Sequence, residues 1–189
     1  RNPAGSFSVQ RLHQDLKAQG HAIAKDAVHA LLGHLLDAFL LSAVSLATES
    51  ERQRNSNPRK LYPADPGLIK AFDASGPSNV GHSLETALLN QLERRGTEVG
   101  YVKSRDGLEV DFLARYLGNG EELIQVCADV SSPDTLVREV RALTAAAQDH
   151  SRAVRRLLVL DRDALTGLKE PGVEVQPTYE WLLAGLDRG

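Results

Sequence analysis

The residues of this 189-residue chain whose types and spacing could do chemistry are three carboxylates and two polar strand positions. Glu109 and Asp111 stand two apart in Glu109-Val110-Asp111-Phe112, so strand alternation puts both on one face and Val110 and Phe112 on the other. Gln125 and Cys127 share a face of the next strand by the same rule. Glu85 lies three and four residues before Leu88 and Leu89, which draws its carboxylate toward an inward helical stripe, where a glutamate needs a partner. A helix acid, a strand acid and a following strand with two polar positions would suit a divalent metal that activates water against a phosphodiester. Glu85 and Asp111 are the candidate metal ligands. Each has a plainer alternative. The two acids also read as hydrogen-bonded or surface carboxylates, Glu109 as a turn cap or the partner of a neighbouring base, and Cys127 as core, because a free cysteine behaves as a small hydrophobe.

The elements that must position these residues follow from periodicity. Val80 to Arg95 is predicted as a helix with Leu84, Leu88, Leu89 and Leu92 inward and Gly96 as its stop. Val99–Lys103, Glu109–Tyr116 and Glu122–Ala128 read as a three-stranded meander across Asp106-Gly107 and Gly118-Asn119-Gly120. Ser132-Pro133 opens a helix whose stripe is Leu136, Val140, Leu143 and Ala147. The apolar run Leu157–Leu160 is a strand buried on both faces, Val173–Gln176 one more strand, and a final helix lies around Trp181. The expected order is αβββαββα.

Upstream the pattern differs. Ser8 to Gln19 and Lys25 to Asp37 are two short helices across a turn at Gly20, a helix-turn-helix. Phe39–Leu46 and Arg59–Pro63 read as the two strands of a wing, joined by a polar loop with Arg52 and Arg54, and Asp65-Pro66-Gly67 as a turn. Asp73 to Asn79 is the best linker, which divides the chain into residues 1–74 and 75–189. Two separate cores are expected: Leu12, Leu16, Leu31, Leu35 and Leu41 in one, and Leu84, Leu88, Leu92, Phe112, Val126, Leu143 and Leu158 in the other.

The net charge of −3 hides an asymmetry: residues 1–72 carry nine Lys/Arg against six Asp/Glu, the remainder thirteen against nineteen. Any nucleic-acid contact is therefore expected in the first part, through Lys25, Arg52, Arg54, Arg59 and Lys60. The second helix is nearly neutral, with Lys25, Asp26, His29, His34 and Asp37, so protein contact is an equally open role for this module. With 42% apolar and 25% charged residues the chain has an ordinary globular composition. A single cysteine excludes an internal disulfide, no apolar run is long enough to span a bilayer, and no export signal opens the sequence, so a cytoplasmic protein without a membrane partner is expected. There is no methionine, which predicts further residues upstream. No Gly-x-x-x-x-Gly-Lys-Ser/Thr occurs, so ATP binding by this piece is not expected.

Asn79-Val80-Gly81-His82-Ser83-Leu84-Glu85, Glu109-Val110-Asp111-Phe112-Leu113 and Leu123 to Asp129 resemble the C-terminal domain of a bacterial and archaeal AAA-type ATPase family, a domain related to the PD-(D/E)XK nuclease fold. Phe7-Ser8-Val9-Gln10, Leu16-Lys17, Lys25-Asp26 and Lys60-Leu61-Tyr62 resemble the winged helix that precedes it in that family. The resemblance implies a winged-helix module followed by a restriction-endonuclease-like α/β domain with a central mixed sheet. It also implies an upstream ATPase domain as partner, which would carry ATP and Mg²⁺, with DNA or a partner protein as the target. Glu85 then matches the nuclease helix acid and Asp111 the strand acid. Gln125 and Cys127 stand where active nucleases have an acid and a lysine. The site is expected to be degenerate, with Glu85, Asp111, Gln125 and Cys127 converging around it. A recognition or regulatory role follows, with a winged-helix DNA-binding regulator and an active metal-dependent nuclease as alternatives.

Overall fold

A computed structural model describes residues 7–72, 80–118, 120–165 and 170–184. The architecture is mixed α/β: seven α-helices, a five-stranded mixed sheet and a two-stranded sheet among the described residues. The first part comprises α1 (Val9–Ala18), α2 (Lys25–Asp37), β1 (Leu41–Val44), α3 (Glu51–Ser56), β2 (Lys60–Pro63) and α4 (Pro66–Phe72). The second comprises α5 (Val80–Arg94), β3 (Glu98–Lys103), β4 (Glu109–Arg115), β5 (Glu121–Cys127), α6 (Pro133–Ala146), β6 (Val154–Val159), β7 (Glu174–Pro177) and α7 (Thr178–Leu183).

Local chemistry accounts for most boundaries. Ser8 caps α1, its hydroxyl accepting from the Arg11 amide, and Pro133 opens α6 where no amide is needed. Two expectations are corrected. The polar loop of the wing contains a helix, α3, because the Ser50 hydroxyl caps it at the Gln53 amide and Arg54 holds the Thr48 carbonyl. Asp65-Pro66-Gly67 is the start of α4 rather than a free turn: the Asp65 carboxylate accepts from the Gly67 amide, and proline suits a first helical turn.

The large sheet runs β3-β4-β5-β6-β7, antiparallel through β5 and parallel thereafter, with α6 as the crossover between the parallel strands. Leu88, Leu89 and Leu92 of α5 and Trp181 of α7 cover one face together with Phe112, Ile124, Val126 and Leu158. Ala142, Leu143 and Ala146 of α6 cover the other, over Val110, Leu113, Leu123, Leu157 and Val159. Along β4 the alternation is broken. Gly100 faces Leu113 while Val102 faces Val110, so Asp111 and Phe112 together oppose Tyr101 in a β-bulge.

The core residues differ in part from the expected sets. Val44 and Tyr62 of the first part pack into the α5 core, Leu143 belongs to the opposite face, and Leu31 and Leu35 are exposed. A two-stranded sheet encloses little volume of its own, so β1 and β2 bury Val44 and Tyr62 against α5 and the large sheet. The chain boundary drawn at residues 74/75 falls within 73–79, outside the described residues. A strap, residues 45–47, extends β1 along the edge of β3: the Tyr101 amide donates to the Ser45 carbonyl at 3.0 Å and the Ala47 amide to the Tyr101 carbonyl at 2.8 Å. Gly100 permits this approach, since a Cβ there would stand 2.9 Å from the Ala47 Cβ and 3.1 Å from its Cα.

Candidate functional site

β2 positions the two residues that decide the site. Lys60 and Tyr62 are two apart on a strand, share a face, and are both buried, at 3% and 1% exposure. That face is laid against α5 and β4. The Lys60 ammonium lies 2.8 Å from Glu109 Oε1 and 3.1 Å from Asp111 Oδ1, and 5.7 Å from the centroid of the Tyr101 ring. The Tyr62 hydroxyl donates to Glu85 Oε2 at 2.9 Å, and its ring stacks on His82 and meets Phe112.

Asp111 shares a face with Glu109, as alternation predicts, and both reach Lys60. The second carboxylate oxygen of Asp111 accepts from the Val126 amide at 3.1 Å, while the Asp111 amide donates to Gln125 Oε1 at 3.2 Å. Side chains thus complete the hydrogen bonding between β4 and β5 where the regular ladder ends at Phe112 and Ile124. Gln125 is buried and serves as a structural acceptor.

Electrostatics follow from burial. Desolvation, with the Asp111 charge second, pushes the Glu85 carboxyl up from 4.5 to about 8. Lys60 is held well above the usual lysine range by Asp111 and Glu109, which outweigh the opposing effect of its burial. Burial and then the Lys60 charge bring His82 down to about 4, and its Nδ1 has no hydrogen-bond partner among the described residues.

The expected convergence is met by Asp111 and Gln125 directly, and Glu85 joins them through the Tyr62–Lys60 face of β2. Cys127 makes no hydrogen bond to them: it packs in the core under α6, where its thiol donates to the Asp129 carbonyl. Burial raises that thiol to about 11, with Glu139 adding to it, so it is a core group without nucleophilic character. Lys60 is corrected as a phosphate contact: alternation turns it inward beside an exposed Arg59, and its charge is matched by two carboxylates. Lys25, Arg52, Arg54 and Arg59 remain exposed.

The acids do not fit a divalent metal as arranged. The ammonium pairs with both Glu109 and Asp111, burial holds the Glu85 carboxyl well above its ordinary range, and among the described residues no group of three or more His, Cys, Asp or Glu could hold a metal ion. Sequence reasoning missed Lys60, Tyr62 and His82 as members of this cluster. The available signal was the spacing of Lys60 and Tyr62, a lysine two residues from an aromatic on a strand. It also missed Glu139, a buried α6 carboxylate whose field acts on Cys127 and which pairs with Arg138. Among the described residues no helix is long and apolar enough to cross a membrane. No family model, curated protein or solved structure matches the chain.

Proposed function

We propose that this chain is a non-catalytic recognition or regulatory region that works beside an ATPase domain of the same protein, with a nuclease-like fold whose acidic site is closed by its own lysine. The observation that supports it is Lys60: a buried ammonium supplied by the first part neutralises Asp111, one of the two candidate metal ligands, together with Glu109 beside it. A fixed internal cation matches this charge without the open coordination positions that metal-assisted hydrolysis requires. The ATPase partnership rests on the resemblance of the motifs from Phe7 to Asp129 and is tested by the sequence upstream of Arg1, where a P-loop is expected.

The same lysine favours a second reading, an active nuclease in which Lys60 supplies from β2 the cation that Cys127 does not. A cleavage assay on single- and double-stranded DNA and RNA with Mg²⁺ or Mn²⁺ separates the two. No cutting by the native chain is expected. Metal-dependent cutting that disappears in both Asp111→Ala and Lys60→Met would replace the first reading by the second.

A further inference from the structure

A cavity of about 650 Å³ lies away from the acidic site, between the C-terminal turn of α6 and the start of β6 and β7. Ligand sites commonly have this size and an apolar floor with few polar groups. Ala147, Ala153 and Val173 form the floor as the open end of the α6 core, and Thr144, Gln148 and Ser151 supply polar groups around it. Arg155 also lines it. On β6, Arg155, Leu157 and Val159 alternate onto the α6 side, so the guanidinium continues an apolar stripe to the point where the core opens.

Two features single this arginine out. Among the described residues the half-buried Arg155 has no hydrogen-bond or ion-pair partner for its side chain, whereas its neighbour Arg156 binds both Glu122 and Glu174. Its guanidinium also rests where Gly172 leaves room: a Cβ at that glycine, whose φ is +69°, would meet Arg155 Nη2 at 2.1 Å. The one acid lining the cavity, Glu174, is held by Arg156 at 2.8 Å. The carbonyls at the end of α6 do not compete for the guanidinium, since those of Leu143, Ala145 and Ala146 accept from the amides of residues 147–150.

We propose that this cavity binds a small organic carboxylate, its acid paired with the Arg155 guanidinium and its apolar body lying on Ala147, Ala153 and Val173. The planar fork of arginine matches a carboxylate in two parallel hydrogen bonds, and partial burial strengthens the pairing. Hexanoate is the probe, titrated into the full chain and followed by amide chemical shifts. Saturable shifts centred on Ala147, Ala153 and Val173 are expected, with affinity at least tenfold weaker for 1-hexanol, which lacks the charge, and for inorganic phosphate, which lacks the apolar body. Arg155→Met should weaken hexanoate at least tenfold while leaving the amide spectrum of β3 and β4 unchanged. Arg155→Lys should fall between the two, because an ammonium keeps the charge and loses the fork. Absence of saturation, shifts confined to other surfaces, equal affinity for phosphate, or undiminished binding in Arg155→Met would each overturn the assignment.

Discussion

Lys60 of β2 and Asp111 of β4, fifty-one positions apart, meet at 3.1 Å in a buried ion pair that joins the first part of the chain to the large sheet. The pair depends on two local facts, the inward turn of Lys60 beside Tyr62 and the shared facing of Asp111 and Glu109 on β4. Removing one partner of a buried pair leaves the other charge uncompensated, at a cost of roughly 3–5 kcal/mol. Lys60→Met should lower the unfolding free energy measured by urea titration by that amount. Lys60→Met combined with Asp111→Asn should recover part of it, a coupling that a double-mutant cycle measures. Strictly additive losses would show that the ion pair is energetically idle.

Stability should depend on pH through Glu85 and His82, with opposite signs. Glu85 has a folded value of about 8 against an ordinary 4.5, so its contribution is fully present below 4.5 and is lost as pH rises to about 8. His82 has a folded value of about 4 against 6.5, so its contribution is present above 6.5 and is lost as pH falls toward 4. The two oppose each other at acid pH, and Glu85 acts alone between 6.5 and 8. Melting temperature should fall across that upper window in the native chain. Glu85→Gln should flatten it there, and His82→Phe should leave it unchanged.

Gly100→Ala tests the strap. The added Cβ would stand 2.9 Å from the Ala47 Cβ and 3.1 Å from its backbone, neither of which can swing away as a long side chain could. A loss of about 1–3 kcal/mol is expected. Hydrogen exchange at the Ala47 and Tyr101 amides should speed up before that of β4 and β5, because those two amides make the edge contact. Uniform acceleration throughout the sheet would instead mark a global effect.

Phe39→Gly should stabilise the protein. Phe39 follows α2 with φ at +55°, where its amide donates to the Leu36 carbonyl and that of Leu40 to Leu35, a helix stop that favours glycine. At 84% exposure its ring buries little, so relief of roughly 1 kcal/mol of left-handed strain should dominate. A lower urea midpoint would show that the ring does more than the described contacts account for.

Any duplex-DNA affinity should reside in the first part. Arg52, Arg54 and Arg59 are exposed, so replacing all three with alanine should reduce the slope of log K against log salt by up to about 3. Lys60→Met should leave the slope unaltered. Mobility shifts across a salt series read both, and an unchanged slope in the triple variant would remove these residues as the contact.

By itself the sequence determined the elements and their faces. The 3.6-residue stripe Leu84-Leu88-Leu92 specified α5, and the Asp106-Gly107 turn and apolar strand residues specified β3, β4 and β5 within a residue or so, because period and turn chemistry are local. Those same signals placed Asp111 and Gln125 on adjacent strands. Only the tertiary structure decided which groups surround them. A one-residue bulge on β4 put Val110 and Phe112, expected on one face, into opposite cores, and Cys127 packed into the core under α6. Lys60, read as a surface charge beside Arg59, became the buried counter-ion of Asp111 once β2 was laid against α5. No window of sequence contains that contact, since the desolvation and pairing that set the state of Lys60 come from residues twenty-five and fifty-one positions away, at Glu85 and Asp111.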